Sequence, residues 1–551
     1  MGNPGKRQGA KGKVPRNIGV MFEGVADAER PVFHLDRPFD IAPKDGTRHT
    51  VGDLARLVAE TSGALYEAGL RKGDRLGIVK DNHFDVVLLA SAAARIGALP
   101  AMISATNSPE VLRAIFERLE PRVLVASSSV LAAAVRDGVE LTGPGTAVVA
   151  VDGGSGGDGG GPAGVLRLED LRGAPVPAAD PVADDEPMIC THTSGTTGVP
   201  KLVAHSANTL LGVLTKLETL PLPGLSIRPD DVVGSCIAFV HGRSITWTFA
   251  QLARPPAKVV VLADPDPATV VATLSEHRPT TLEACPNIFQ LWEGLLRSNP
   301  GLFTRTRAFI NTFDAIHPRT VRAFLEASGR RSPVWGQVWG QTEVGPVCMG
   351  VYTRRKLRRS RWSQDPVTSN VGRPIPFVTQ VRVVDPQTRR KVRRGQEGIV
   401  LVRTKGRCLD YLGETDRHRE KDWGQGWWNT GDIGVHGRTG GFRIVDREVD
   451  LIPGVSGIAL ESVLLERLEE TSEVIVLGVP GRRPVPVLSV DGGELDPERW
   501  RKATADLPAL EDPVLIGWDE FPRTGTWKVR RPVLRERLFG TKETYGTGRW
   551  T

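Results

Sequence analysis

The feature that most constrains the fold is an alternation of helix-like and strand-like segments through the first 150 residues. Thr50 and Asp53 form a capping-box pattern ahead of apolar residues at helical spacing, and Gly69 ends that segment. Alternating elements predict an α/β fold with mainly parallel sheets flanked by helices. The predicted helices cover 50–69 and 83–96, and a third begins after a Ser108 cap with Pro109 at its first position. The predicted strands cover 75–79, 123–126 and 147–151.

The alternation resumes in the second half, and the length of 551 residues predicts two or more domains. A change of composition between Asp446 and Asp450 predicts a domain boundary. We therefore expect a disordered segment over 1–15, a large N-terminal domain over 16–446 and a small α+β domain over 447–551. The glycine-rich run at 153–161 predicts a flexible surface loop. Further predicted elements are strands over 259–262 and 280–283 and helices over 267–277, 287–297 and 318–328.

The net charge of +7 and the pI of about 9.2 raise the question of an anionic partner. Part of this charge lies in an arginine cluster from Arg354 to Arg361. The cluster is either a contact for a polyanion or a phosphorylated cofactor, or a solvated loop. The solvated loop is favoured because no interleaved aromatic residues accompany the charge. We therefore expect no nucleic-acid partner.

Cysteine spacing and apolar run lengths bear on the cellular compartment. The five cysteines lie far apart with no CxxC pair, which predicts buried free thiols rather than disulfides or a zinc site. The longest apolar stretch, Phe84 to Ile103, contains Asp85 and Arg95 and is typical of a core helix. The N-terminus shows no apolar secretory segment. We expect a cytoplasmic protein that does not contact a membrane.

The segment THTSGTTGVPK at 191–201 carries the clearest chemical signal. Gly195 and Gly198 permit backbone conformations in which consecutive N–H groups converge on an anion. The hydroxyl groups between them and the charge of Lys201 suit a β- or γ-phosphate. A Walker loop is excluded because that motif requires GxxxxGK[ST], whereas Val-Pro here separates the second glycine from the lysine. The alternative, a polar turn between strands, leaves this density of phosphate-compatible donors unexplained.

TSGTTGVPK resembles the signature phosphate loop of the adenylate-forming superfamily, which includes acyl- and aryl-CoA synthetases, peptide-synthetase adenylation domains and luciferases. The resemblance covers about residues 50–540 and implies formation of an acyl-adenylate from ATP and a carboxylic acid, with release of pyrophosphate. It also implies a large N-terminal domain and a small mobile C-terminal domain. The other motifs, which follow in the family's order, are WGQTEVGP at 339–346, NTGDIG at 429–434, GFRIVDREVD at 441–450 and PRTGTWKVRR at 522–531.

The resemblance implies three catalytic residues. Thr342 is expected to contact the α-phosphate, and Glu343 is expected to ligate magnesium, for which a carboxylate is the appropriate hard donor. Lys528 is expected to lie between the carboxylate and the α-phosphate, where an ammonium neutralises two approaching anions. The residues that the resemblance implies for ATP binding are Thr193, Ser194, Gly195, Thr196, Thr197, Lys201, Asp314, Ala315, Trp339, Gly340, Asp432 and Arg447.

Within that set, several residues are implied to hold the nucleoside. Trp339 stands where the family usually has tyrosine and is expected to flank the adenine. Asp432 and Arg447 are expected to contact the ribose hydroxyls. Asp314 and Ala315 lie in the segment FDAI, which replaces the family's Gly-Gly-Ala-Pro strap. Asp314 is expected to bond either the adenine amino group or a polar substrate.

The resemblance implies that His241, Arg243 and Trp247 line the acid pocket. His241, in AFVHGRS, matches the end of a family strand that commonly lines that pocket. Arg243 is either a specificity contact to a polar or acidic group or a plain surface residue, and the sequence leaves both open. The identity of the acid does not follow from these residues.

The second half of the family's usual reaction, transfer of the acyl group to a thiol, is less well supported. Val449 replaces the usual hinge Asp or Lys, Pro453 replaces a common lysine, and Trp527 stands where glycine is usual. The reading that follows is a CoA ligase, with CoA as co-substrate. The alternatives are an enzyme that passes the adenylate to a carrier protein or an amine, and a non-catalytic nucleotide-binding relative. The oligomeric state stays open, with a homodimer among the alternatives.

Overall fold

The computed structural model of the chain describes residues 13–152, 164–193, 199–212, 222–359, 367–438 and 440–545. Most of the predicted disordered N-terminus, the predicted flexible loop at 153–161, and residues Ser194, Gly195, Thr196 and Thr197 of the phosphate loop lie outside the described residues. The mixed α/β class predicted from the alternation is confirmed.

The strands are numbered in chain order. They are β1 Val32–Leu35, β2 Arg48–His49, β3 Arg75–Lys80, β4 Leu99–Ser104, β5 Val123–Ala126, β6 Ala147–Ala150, β7 Leu166–Arg167, β8 Ile189–His192, β9 Leu202–His205, β10 Val232–Cys236, β11 Lys258–Val261, β12 Thr281–Ala284, β13 Ala308–Asn311, β14 Val334–Gln341, β15 Gly345–Tyr352, β16 Asn370–Pro374, β17 Thr379–Val384, β18 Glu397–Thr404, β19 Asp410–Leu412, β20 Trp428–His436, β21 Phe442–Arg447, β22 Thr471–Leu477, β23 Val485–Val490 and β24 Val514–Leu515.

The α-helices are numbered in the same way, and residues 207–212 are helical in addition. They are α1 Val51–Glu67, α2 Asp85–Ile96, α3 Pro109–Leu119, α4 Ser128–Arg136, α5 Gly242–Ala253, α6 Pro267–His277, α7 Pro286–Leu291, α8 Glu293–Ser298, α9 Pro318–Ala327, α10 Arg354–Arg359, α11 Thr415–Lys421, α12 Gly457–Arg467, α13 Pro497–Thr504 and α14 Arg531–Phe539.

Two large sheets hold the site. In the described part of the chain, the first runs in the order β17-β18-β20-β21-β16-β15-β14-β13-β12-β10-β11-β1-β2. Within it, the six neighbouring strands β14, β13, β12, β10, β11 and β1 are parallel to one another. The second runs β19-β9-β8-β4-β3-β5-β6-β7, parallel from β8 to β7. Because β10, β12 and β13 are parallel, their carboxyl ends meet at one edge, which is where ligands bind in such sheets.

Local sequence signals set several elements. Thr50 caps α1 with its side chain and exchanges hydrogen bonds with Asp53, so the predicted capping box is confirmed. The helix predicted over 267–277 is confirmed as α6, since Asp266 caps it and Pro267 opens it. The five cysteines are all buried and free, as predicted. Among the described residues, no helix has the length and apolarity that a membrane crossing requires.

Two local predictions were wrong. The helix predicted over 287–297 is split into α7 and α8, because Trp292 ends one and begins the other with ψ near 0°. The solvated loop predicted at Arg354–Arg361 is instead helical over Arg354–Arg359. There the Arg354 guanidinium donates to the carbonyls of Leu325, Ser328 and Arg330, so it serves the packing of α10 on α9.

The C-terminal segment forms a three-stranded sheet of β22, β23 and β24, with α12 and α14 packed on it. It meets the large sheets through α9 and α12, where Arg319 donates to the carbonyls of Leu465, Leu468 and Thr471. The loop at Gly525 approaches β4 so closely that a Cβ there would stand 2.1 Å from Oγ of Ser104. Only glycine permits this approach, which brings the loop carrying Lys528 to the edge of the second sheet.

Candidate active site

A cavity of about 470 Å³ opens at the carboxyl ends of the parallel strands, between the two large sheets and the C-terminal segment. The structure brings ten of the described predicted residues to its wall: Thr193, Lys201, His241, Arg243, Trp247, Gly340, Thr342, Glu343, Arg447 and Lys528. Four others, Asp314, Ala315, Trp339 and Asp432, are not among its lining residues. Residues that are distant in sequence therefore share one site.

The ends of the phosphate loop are tied together. The amide of Thr193 donates to the carbonyl of Lys201 at 3.0 Å, and the amide of Lys201 donates to Oγ1 of Thr193 at 3.1 Å. Nζ of Lys201 lies 4.9 Å from the ring centroid of Tyr411, because β19 pairs with β9. Burial lowers the pKa of Lys201, while the nearby Glu343 carboxylate opposes that shift. A lysine in this position presents its charge to the cavity.

The β14–β15 hairpin positions Thr342 and Glu343. A register shift follows Trp339, and a Cβ on Gly340 would stand 2.1 Å from the carbonyl oxygen of Gly345, so glycine is required there. Nε2 of His205 donates to the carbonyl of Thr342 at 2.8 Å. The Tyr411 hydroxyl donates to Oε1 of Glu343 at 2.7 Å. Burial and this carboxylate raise the pKa of Tyr411, so the hydroxyl keeps its proton and holds the carboxylate in place.

Asp432 is held by three side chains. Nε2 of Gln341 donates to Oδ2 of Asp432 at 3.0 Å, and the Trp339 indole also hydrogen-bonds to this carboxylate. Arg447, opposite Asp432 across β20 and β21, brings Nε to 3.6 Å from Oδ1. Burial raises the pKa of Asp432, and the Arg447 guanidinium opposes that shift. Trp339 therefore lies beside the predicted ribose-binding carboxylate.

Lys528 comes from a tight loop in the C-terminal segment. The amide of Thr524 donates to the carbonyl of Lys528 at 2.8 Å, and the amide of Lys528 donates to Oγ1 of Thr524 at 3.2 Å. Trp527 within this loop has a φ of 64°, the left-handed region, which explains why glycine is usual there. Its ring stacks on Trp518 with centroids 5.9 Å apart. Burial lowers the pKa of Lys528, and Asp314 and Asp432 counter part of that shift.

His241 and Phe313, the first residue of the strap, meet at the wall of the cavity. Nδ1 of His241 accepts a hydrogen bond from the Arg243 amide at 3.1 Å and thereby caps α5. Phe313 packs edge-on against the ring at 4.8 Å between centroids. Burial, with the charge of Lys528, lowers the pKa of His241 to about 3, so the ring is neutral. Asp314 is exposed and accepts a hydrogen bond from the Ala315 amide.

The predicted acid pocket contains an ion pair that the sequence did not reveal. Nε and Nη2 of Arg243 donate to the two oxygens of Glu283 at 2.7 and 2.8 Å. Arg243 is 14% exposed and Glu283 is 3% exposed. Arg243 is therefore neither a plain surface residue nor an unpaired cation for an acidic group.

Sequence reasoning missed Tyr411, Gln341, Gln251 and Glu283. Gln341 lies within the WGQTEVGP motif and Tyr411 lies in β19, outside the quoted motifs, and their contacts join residues that are 91 and 68 positions apart. Glu283 lies in an apolar strand, which predicts a core position, and its partner is 40 residues away. The only sequence signal for Glu283 was its acidic side chain within an apolar strand, because a buried charge requires a partner.

The chemistry of the Glu343 side chain fits magnesium, since a carboxylate is a hard oxygen donor. The Glu343 carboxylate lines the cavity, and Tyr411 bonds one of its two oxygens. Magnesium is commonly held by one or two carboxylates together with substrate phosphates and water.

Comparison with known proteins agrees with this arrangement. Residues 27–412 match the profile of the family described as AMP-binding enzyme. The chain belongs to the AMP-binding enzyme family. This AMP-binding enzyme is therefore an adenylate-forming enzyme, as its motifs predicted.

Several relatives of this AMP-binding enzyme are named for aromatic compounds, and one is named for long-chain fatty acids. It is 37% identical over 545 residues to the 3-amino-2-hydroxy-4-methoxybenzoate diazotase of Streptomyces cremeus, covering 96% of each chain. It is 26% identical over 511 residues to the 3-hydroxybenzoate–CoA ligase of an Aromatoleum species, covering 89% of this chain and 91% of the relative. The benzoate CoA ligase of Burkholderia xenovorans has the same fold, with a TM-score of 0.75 at 19% identity over 94% of this chain and all of that one.

Proposed function

We propose that this AMP-binding enzyme adenylates nitrite and transfers the nitroso group to an aromatic amine, the reaction class of a diazotase. The observation that carries this proposal is the 37% identity to a diazotase over 96% of both chains. It departs from the carboxylic-acid substrate expected from the motifs, because formation of a diazonium ion joins two nitrogen atoms. The acid that is activated must then bring the second nitrogen.

The first step has a simple electron balance. A nitrite oxygen attacks the α-phosphorus of ATP, a new P–O bond forms, and the bond to pyrophosphate breaks. Two anions meet and negative charge grows on the leaving group, so positioning and charge stabilisation supply most of the rate. Lys201, Arg447 and Lys528, which are among the cationic side chains that line the cavity, supply positive charge on its wall.

The second step consumes the nitrosyl adenylate. The amine nitrogen attacks the nitroso nitrogen, the N–O bond breaks, and AMP leaves with the oxygen that came from nitrite. The resulting N-nitrosamine loses a proton to solvent, rearranges to a diazohydroxide and loses hydroxide to give the diazonium ion. No oxidant or reductant is required.

The residue roles are proposed as follows. Thr193 and Lys201, with Ser194, Gly195, Thr196 and Thr197 of the same loop, hold the departing phosphates. Thr342 and Gly340 contact the α-phosphate, and Glu343 would hold magnesium, which neutralises phosphate charge when bound. Asp432 and Arg447 hold the ribose, with Trp339 and the strap at Asp314 and Ala315 beside the adenine. Lys528 pairs with the attacking oxygen and the α-phosphate.

The second candidate is the CoA ligase predicted from the motifs, with an aromatic acid as its substrate. The similarity to 3-hydroxybenzoate–CoA ligase favours it. The departures at Val449 and Pro453 from the residues usual for thiol transfer favour an acceptor other than a thiol. A carrier protein as acceptor is a further alternative.

The test supplies purified enzyme with ATP, magnesium, 3-aminobenzoate and either nitrite or CoA. The proposal expects pyrophosphate release that depends on nitrite, and a diazonium product that couples with 2-naphthol to give a coloured azo compound. A CoA thioester seen by mass spectrometry, without nitrite-dependent pyrophosphate release, would establish the second candidate and contradict the first. Lys528→Gln is the inactive reference in both arms, since Lys528 serves either reaction.

A further inference from the structure

One wall of the cavity differs in character from the rest. Four residues of helix α5 line the cavity: Arg243, Thr246, Trp247 and Gln251. The last three follow Arg243 by three, four and eight positions, so all four lie on one face of the helix. Strand β12 adds Glu283 beside them. The surrounding side chains are mainly apolar: Leu225, Ile227, Val233, Leu282 and Ile310. A ligand that fills this part of the cavity meets the polar groups of α5 and β12 beside mainly apolar side chains.

The Arg243–Glu283 pair presents hydrogen-bond acceptors without presenting net charge. Both N–H groups that reach Glu283 are used in a bidentate contact at 2.7 and 2.8 Å. An ionised carboxylate has about four acceptor positions, so this contact leaves about half of them for another donor. Thr312 stands at the edge of hydrogen-bonding range, with Oγ1 3.5 Å from Oε1. An ionised acidic substituent has no hydrogen to donate to these acceptors, so it would be disfavoured at this wall.

Gln251 adds a second acceptor. Its amide oxygen is buried and has no hydrogen-bond partner among the described residues, and the residue is 2% exposed. A buried polar atom without a partner is costly, so a ligand that donates to it gains affinity. Trp247, on the same face of α5, also lines the cavity and adds an aromatic side chain to this wall.

We propose that this wall selects the substrate by its amino group: an aromatic amine donates N–H bonds to Glu283 and Gln251 while its ring packs on Trp247 and the apolar side chains. The inference rests on the proposed function, since it assigns the place of the amine acceptor. It goes further in naming the two acceptors that recognise the nitrogen. Glu283 and Gln251 are then specificity residues, and Arg243 positions Glu283.

The test is equilibrium binding by calorimetry, with full-length enzyme, magnesium and α,β-methylene-ATP, which cannot release pyrophosphate. The ligands are 3-aminobenzoate, benzoate and isophthalate, which place an amine, a hydrogen or a carboxylate at the same ring position. The wild type is expected to bind 3-aminobenzoate about ten-fold more tightly than benzoate, from one charge-assisted hydrogen bond, and isophthalate most weakly. No chemistry occurs, so failure of nitrite activation would not alter this result.

Variants separate recognition from folding. Glu283→Gln removes the charge that pairs with Arg243, so the preference for the amine should fall about ten-fold and isophthalate should overtake benzoate. Gln251→Leu should weaken the binding of 3-aminobenzoate and leave the binding of the other two ligands unchanged. The matched control is Asp231→Asn, which breaks another buried bidentate pair, with Arg307, outside the cavity lining. It should leave the order of the three ligands unchanged.

Several outcomes would overturn the proposal. They are tightest wild-type binding of isophthalate, equal binding of benzoate and 3-aminobenzoate, no binding of any of the three, or the same change of order in Asp231→Asn as in Glu283→Gln. Thermal unfolding of each variant identifies a misfolded Glu283→Gln, and in that case Gln251→Leu decides alone. Loss of the amine preference in Gln251→Leu then supports the proposal, and its retention refutes it.

Discussion

Replacing Lys528 with glutamine removes the one cation that residues 524–528 contribute to the cavity wall. A unit charge about 4 Å from a developing negative charge contributes about 4 kcal/mol at an effective dielectric constant of about 20. Since about 1.4 kcal/mol is a factor of ten, the adenylation rate should fall about 10³-fold. The rate is measured as ATP–pyrophosphate exchange with the acid that supports pyrophosphate release.

The same change should not destabilise the fold. Burial lowers the pKa of Lys528 below its ordinary value of 10.5, so the folded protein binds the proton less tightly than the unfolded chain does. The wild type therefore gains stability as the pH rises from the lowered pKa toward 10.5, and the glutamine variant loses that gain. Lys542→Gln is the control, because Lys542 is exposed and pairs with Glu536 at 3.0 Å. Exchange in Lys528→Gln within five-fold of this control would refute the catalytic role.

Three further predictions concern residues around the cavity. Tyr411→Phe removes the hydroxyl that fixes Glu343, so the magnesium concentration for half-maximal exchange should rise about ten-fold, from about 1.4 kcal/mol for one charge-assisted bond, and an unchanged requirement would contradict this. His241, with its pKa lowered to about 3, stays neutral from pH 5 to 9, so His241→Asn should change the exchange rate without changing the shape of its pH profile over that range. The free energy of unfolding of Trp527→Gly should exceed that of Trp527→Ala by about 1 kcal/mol in denaturant titrations, because alanine, unlike glycine, retains the cost of a positive φ. A less stable glycine variant would disprove that strain.

Local chemistry explains which parts of the fold were predictable. The cap at Thr50 and the Asp266-Pro267 start of α6 act within one helical turn, so their signals are complete in the sequence. The break at Trp292 was missed because both halves of that segment have helical spacing. The helix at Arg354 was missed because its guanidinium is satisfied by carbonyls 24 to 29 residues away.

The candidate site shows the same division. Motif residues such as Lys201, Glu343 and Lys528 could be predicted to share one site, and the structure places them on one cavity wall. The Arg243–Glu283 pair could not be predicted, because it depends on how strand β12 and helix α5 pack against each other in three dimensions. From the sequence alone Arg243 is either a specificity contact or a surface residue, and only the structure shows that it pairs with the buried Glu283.

The fate of the oxygen atoms tests the central claim most directly. The enzyme is supplied with ATP, magnesium, 3-aminobenzoate and nitrite labelled with ¹⁸O, and the mass of the AMP product is measured by mass spectrometry. Adenylation of nitrite predicts AMP heavier by one ¹⁸O, because the amine attacks nitrogen and the oxygen stays on phosphorus. Unlabelled AMP from labelled nitrite, together with labelled AMP from ¹⁸O-carboxylate, would show that the carboxylate is activated instead and would contradict the account.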